Sequence, residues 1–169
     1  MSLNKKKNTK EIIALSDFEH VKIRPQMYVG STDLSDEKVP IIKEGKLHEE
    51  IKSISVGFYK LFNEILDNSI DEAKRMKGKM KSIKISIDSS TNKITIEDSG
   101  NGFYNGTAIN TKTGINNIET AMTQLRSGSN FYNDDIDETL IGTNGVGAAL
   151  VNMLSSNFTI ETKGKNYHY

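Results

Sequence analysis

VGFYKLFNEILDNSIDEAKRM (Val56–Met76), followed closely by KSIKISIDSSTNKITIED (Lys81–Asp98), is the part of the sequence that decides the fold. At about 100° per residue, with Glu64 at the origin, Leu61, Ile65, Phe58, Phe62, Ala73, Leu66, Tyr59 and Ile70 fill one half of a helical wheel. Glu64, Asn68, Asp71, Glu72 and Asp67 fill the other half, with Lys60, Lys74 and Arg75 nearby. The spacing predicts an amphipathic helix with Gly78 as its stop. The second segment alternates apolar and polar residues twice around Ser89-Ser90-Thr91-Asn92. That pattern predicts a β-hairpin with Ile83, Ile85, Ile87, Ile94 and Ile96 on one face.

Outward from this centre the signals weaken. Residues 1–15 open with MSLNKKKNTK and read as a flexible basic arm. A short helix is expected around Lys10–Phe18. His20–Ser31 cannot form a long helix, because Pro25 and Gly30 interrupt it. Thr32–Glu50 is charged and reads as an irregular surface insertion or loop. On the other side, Ser99–Gly114 has no sustained period, and a helix is expected over Ile115–Leu125. A loop over Arg126–Thr143 leads to a helix from Gly145 to Ser155. A strand over Phe158–Thr162, a Lys-Gly-Lys turn and the start of another strand close the chain. Helix, hairpin, helix, helix, hairpin in that order predicts an α+β two-layer sandwich, with helices on one face of a mixed, mostly antiparallel sheet. Residues 16–169 read as one domain.

Composition bounds the function. The chain has 169 residues, enough to bury a core, with 22 basic and 22 acidic side chains. Zero net charge argues against a nucleic-acid coat. The absence of Cys excludes disulfides, a zinc ribbon and a cysteine nucleophile. No apolar run is long enough to span a membrane or serve as a signal sequence. Eight of the 13 glycines (100, 102, 106, 114, 128, 142, 145 and 147) fall between Gly100 and Gly147.

Three constellations carry chemistry. Glu64, Asn68 and Asp71 form one stripe of the long helix, at i, i+4 and i+7. Carboxylate, amide and carboxylate in line suit a hydrated Mg²⁺ and an activated water, although a solvated acidic face would look the same. Asp98 ends a strand before Ser-Gly-Asn-Gly. There its carboxylate could accept from the exocyclic amine of a purine, or simply close a turn. GTNGVG (Gly142–Gly147) opens a helix, so its backbone N–H groups and the helix N-terminus suit a phosphate. It is neither a Walker A loop nor a GxGxxG fingerprint. Together, in this order, the three would supply metal, base and phosphate sites in turn. Asp134-Asp135-Ile136-Asp137 reads as a solvated acidic loop.

Phe62–Ala73, Glu97–Gly102 and Gly142–Gly147 resemble the motifs of the GHKL ATPases. This group includes type IIA topoisomerases, large heat-shock chaperones, MutL-type repair proteins and sensor histidine kinases. Arg24-Pro25-Gln26-Met27-Tyr28-Val29-Gly30 resembles the RPxMYxG signature of topoisomerase ATPase subunits. Ser129-Asn130 with the acidic run after it, and TNGVGAALVNMLSSNFTIET (Thr143–Thr162), are similar to the T-even-phage and eukaryotic branch.

The resemblance implies a Bergerat-type ATP-binding fold over residues 16–169, incomplete at its C-terminal end, and the cofactors ATP and Mg²⁺. It implies Glu64 as general base and Asn68 as Mg²⁺ ligand. Asp98 would bind the adenine amine, with Gly102 shaping the pocket, and Asp71 and Glu72 would support the site. Ser129 and Asn130 would touch ribose or phosphate. Gly142, Asn144, Gly145, Val146 and Gly147 would line the triphosphate. It also implies a homodimer closing through the ATPase gate, DNA handled by other domains or subunits, no membrane, and a location inside the cell where DNA is. Another GHKL class, or a nucleotide-binding module without turnover, is the alternative. Asn101 departs from the pattern, standing where the family usually carries Arg or Lys, and Phe103-Tyr104 stand in place of Ile-Pro.

Overall fold

A computed structural model describes residues 12–128, 140–142 and 144–169. The arm at the N-terminus, Ser129, Asn130 and the acidic run at 134–137 therefore lie wholly or largely outside the described residues.

The first described helix, α1 (Asp17–Ile23), starts later than the expected Lys10–Phe18. Ser16 sets the boundary: its hydroxyl accepts from the Glu19 backbone N–H, and the Glu19 carboxylate accepts from Ser16 N–H. This reciprocal capping box satisfies two otherwise orphaned donors. Arg24-Pro25 breaks the helix, and α2 (Gln26–Val29) follows as one turn ending at Gly30.

Residues 32–50 are not irregular. Strand β1 (Leu34–Lys43) pairs antiparallel with β2 (Lys46–Ser55), from Leu34 opposite Ser55 to Lys43 opposite Lys46. The two-residue turn has Glu44 at φ 52° and Gly45 at φ 75°, the positive pair that matches the twist of a hairpin. Alternation exists, but Ser35 and Glu37 share the less exposed face of β1 with Val39 and Ile41, so it is not an apolar alternation.

Ser55 caps α3 (Val56–Arg75) by accepting from Phe58 N–H. Its length is as expected, but its burial is not. The buried residues of α3 are Gly57, Ser69 and Asp71, whereas Phe58 and Tyr59 are exposed. The polar stripe faces protein because other segments fold over it.

Strands β3 (Ile83–Asp88) and β4 (Lys93–Asp98) form the expected hairpin, with Ile85 opposite Ile96 and Ile87 opposite Ile94. Helix α4 (Asn117–Thr123) is capped by Asn116, and α5 (Gly147–Leu154) starts two residues later than expected. The expected strand over Phe158–Thr162 is not formed. The closing hairpin is instead β5 (Lys163–Gly164) with β6 (Tyr167–His168), extended by reciprocal backbone bonds between Thr162 and Tyr169. The turn falls at Lys165-Asn166, so Lys163-Gly164 is strand and not turn.

The mixed helix and antiparallel-strand class is as expected. Among the described residues the strands form three two-stranded ladders in place of one continuous sheet. The main apolar cluster joins Val21 of α1, Val29 of α2 and Ala149, Leu150 and Met153 of α5, with Leu61, Tyr28 and Leu125 against it. Ile118 and Met122 of α4 are also buried. Helix α5 is thus the element on which α1, α3 and α4 converge, and it begins at the glycine loop.

Leu150→Ala should cost about 2–5 kcal/mol in urea unfolding, because a buried Leu leaves a cavity on truncation. Leu47→Ala, at an exposed strand position, should stay within about 0.5 kcal/mol.

Candidate functional site

Helix α3 presents two neighbouring stripes, and each meets a different loop. The first holds Glu64, Asn68 and Asp71. Asp71 is 1% exposed and accepts from Ile141 N–H at 2.9 and 3.0 Å and from Gly142 N–H at 2.7 Å. Lys74 lies 3.6 Å from the same carboxylate, one turn along. Backbone donors and a cation together make burial of a carboxylate tolerable.

Glu64 is partly buried, and that burial pushes its carboxyl above the ordinary glutamate range. Lys60 pulls the other way, while Asp67 adds to the rise. Asp67 itself is raised, first by burial and then by the charge of Asp71, against Lys74. The first residue of α5, Gly147, lies directly on the Glu64 carboxylate. A Cβ there would meet the Glu64 side chain from its carboxylate down to its own Cβ, so a larger residue would make Glu64 move away from the start of α5. Val146, at the N-cap of α5, makes no side-chain cap bond.

Asn68 is exposed, and its Nδ2 donates to the Glu64 carbonyl at 2.8 Å. This fixes the amide and leaves Oδ1 as its remaining acceptor, 3.4 Å from where a Cβ on Gly142 would stand. One neutral oxygen near a partly buried carboxylate fits a hard cation that keeps most of its waters. Among the described residues no three acidic or His side chains cluster as a full metal cage.

The second stripe holds Ser69 and Glu72. Ser69 donates to Asp98 Oδ2 at 2.7 Å, and Gly100 N–H donates to Asp98 Oδ1 at 2.9 Å. Glu72 accepts from Asn101 N–H at 3.1 Å and from Asn101 Nδ2 at 3.2 Å, and also meets Arg75 at 3.3 Å. Asn101 therefore binds this acid with two neutral donors, where the family pattern has a cation. Gly102, at φ 71°, lies against the closing hairpin: a Cβ would stand 2.6 Å from the Lys163 carbonyl oxygen. Tyr167 fastens the same junction by donating to the Phe103 carbonyl at 2.5 Å.

The structure thus gathers Glu64, Asn68, Asp71, Gly142 and Gly147 on one side and puts Asp98 with Ser69 and Gly100 on the other, while Gly102 lies against the closing hairpin and not against Asp98. Asn144 is exposed, and Gly145, at φ 61°, accepts from Ser127 N–H at 2.9 Å, which ties the glycine loop to the end of α4. Val146 packs against the apolar cluster. Sequence reasoning missed Ser69. A lone serine within a helix carries no signal, and its partner is 29 residues away.

Residues 54–166 match the family described as histidine kinase-, DNA gyrase B- and HSP90-like ATPase. The chain is 41% identical over 92 residues to the DNA topoisomerase large subunit of Enterobacteria phage T4, covering 54% of this chain and 17% of that protein. It is 37% identical over 91 residues to DNA topoisomerase 2 top-2 of Caenorhabditis elegans, covering 52% of this chain and 6% of that protein. Its structure resembles the ATPase region of Saccharomyces cerevisiae topoisomerase II, with a TM-score of 0.82, 31% identity, and coverage of 94% of this chain and 42% of that one. The chain therefore spans well under half the length of each of these relatives. The expected likeness to the phage and eukaryotic branch is borne out.

Asp71→Asn should speed hydrogen exchange at the Ile141 and Gly142 amides and lower stability by about 1–3 kcal/mol, because a neutral amide accepts more weakly than the carboxylate and turns an NH₂ group, a donor, towards these donors or towards Lys74. Exchange mass spectrometry with urea unfolding measures both.

Proposed function

The chain belongs to the histidine kinase-, DNA gyrase B- and HSP90-like ATPase family, and we propose that it is the ATP-binding and ATP-hydrolysing portion of a type II DNA topoisomerase. The reading rests on one observation above all: Glu64, with its raised carboxyl pKa, sits against the start of α5 at Gly147. That is a base beside a phosphate-type helix N-terminus.

In this reading the adenine amine donates to Asp98, with Gly102 shaping that end of the pocket. Asn144, Gly145, Val146 and Gly147 offer backbone N–H groups to the triphosphate, while Gly142, its N–H held by Asp71, begins that lining. Ser129 and Asn130 touch ribose or phosphate. Asn68 holds Mg²⁺ through its amide oxygen. When bound there, Mg²⁺ would supply positive charge to offset that of the phosphates. Asp71 keeps the segment at Ile141-Gly142 against α3, and so fixes where the glycine loop starts. Glu64 takes a proton from the water that attacks the γ-phosphorus. The bond to the β–γ bridging oxygen breaks, and ADP leaves. Positioning supplies most of the acceleration.

We extend the reading to the whole protein by analogy with the relatives. ATP binding closes a homodimer gate, DNA is held and cut by other domains or subunits, and the enzyme works where DNA is. Among the described residues no helix is long and apolar enough to cross a membrane. The topoisomerase names of the relatives favour this reading over a chaperone or repair ATPase.

Glu64→Gln should still bind ATP in calorimetry but lose turnover by about 10²–10⁴-fold, as expected on removing a general base. In the unmutated protein, turnover should fall on acidification with a midpoint above 4.5, the value for an ordinary glutamate. The base works only when deprotonated, and burial holds its proton on to higher pH. Turnover insensitive to Glu64 would overturn the assignment.

A further inference from the structure

We propose that Ser69 is a positioning residue for purine recognition: its buried hydroxyl holds Asp98 in the orientation that accepts an exocyclic amine. This rests on the reading of Asp98 as the adenine-facing group, and goes further by naming what sets its selectivity.

Ser69 is 6% exposed and lies on α3 beside Asn68. A serine within a helix commonly returns its hydrogen to the carbonyl one turn back. Here that single hydrogen goes to Asp98 Oδ2, at 2.7 Å, across to the end of β4. Asp98 Oδ1 is held separately by Gly100 N–H, at 2.9 Å. Each carboxylate oxygen thus has one donor from the protein, one from a helix and one from a turn. Two fixed donors define the plane of the carboxylate, whereas one would leave it free to rotate about Cβ–Cγ.

The consequence is chemical. A carboxylate oxygen has about two acceptor directions, so each oxygen keeps capacity after its internal bond is made. Asp98 is exposed despite these anchors, so that capacity is open to a ligand. A carboxylate so held is acceptor-only. It suits the amine at the 6-position of adenine and meets a carbonyl at that position with two acceptors facing each other. Selectivity of this kind depends on the oxygen staying where the amine needs it. Ser69 supplies half of that constraint without touching the nucleotide.

Ser69→Ala removes only the hydroxyl and keeps a good helix former, so α3 should persist. The test compares ADP with purine riboside 5′-diphosphate, which lacks the 6-amino group, by calorimetry on the full chain with Mg²⁺. The unmutated chain should prefer ADP. In Ser69→Ala that preference should fall about tenfold, as expected for a charge-assisted hydrogen bond lost at one remove. Affinity for purine riboside 5′-diphosphate should stay unchanged, and Ser69→Thr should restore the preference. A purely structural role would weaken both ligands alike, and that result would overturn the proposal. So would an unchanged preference in Ser69→Ala. If the unmutated chain binds both diphosphates equally, the adenine-facing role of Asp98 falls, and this proposal falls with it. If it binds neither, the nucleotide-site reading itself falls.

Discussion

One buried carboxylate organises this molecule. Asp71 is almost fully withdrawn from water on α3, and its acceptors are met by the backbone N–H groups of Ile141 and Gly142, 70 residues further along the chain. A carboxylate in that position is costly without its donors, and two backbone amides would be costly without their acceptor. The pairing therefore leaves little room for alternatives and pins the start of the glycine loop to the long helix. Helix α5 begins five residues later, and Val21, Val29 and Leu61 pack around it. The apolar cluster and the polar stripe thus depend on a common registration. If the loop slid along α3, Asp71 would lose its donors and α5 its packing together.

That registration also brings Gly147 onto Glu64. A side chain at Gly147 would press on Glu64 and displace it, so glycine lets the two stay in contact. The carboxylate that results is partly dried by its neighbours, and this raises its affinity for a proton. Burial that looks like a stability defect is what shifts Glu64 upward, the direction the proposed base role needs.

How much of this the sequence discloses depends on how local each cause is. Helix α3 and the β3–β4 hairpin are legible because their periods run through many consecutive residues. The β1–β2 hairpin is obscured because Ser35 and Glu37 stand where an apolar residue would reveal a strand. Its best local signal is the Glu44-Gly45 pair. The start of α1 is readable from Ser16 and Glu19, three residues apart as a capping box requires, whereas apolar content alone points too early. The closing hairpin shifts because its pairing is set by Thr162 and Tyr169, not by β propensity at Phe158–Thr162. In the site, the glycine loops and the acidic stripe can be found as motifs. The burial of Asp71 cannot, because a helical wheel counts every carboxylate as outward. The Ser69 bond cannot either, since its partner lies on another element.

The wheel that misplaced Asp71 also explains the layout of the site. At about 100° per residue, Glu64, Asn68 and Asp71 fall within roughly 60° of one another, and Ser69 and Glu72 lie on the adjoining flank. The first group meets Gly142 and Gly147, and the second meets Asp98, Gly100 and Asn101. A single helix therefore carries both groups, and no loop has to span the distance between them. The spacing between the Gly142–Gly147 side and the Asp98 side is set by helix geometry. Asn101 fits this arrangement. Its backbone N–H and side-chain amide both donate to Glu72, which Arg75 also meets, and so align the turn after β4 with the helix.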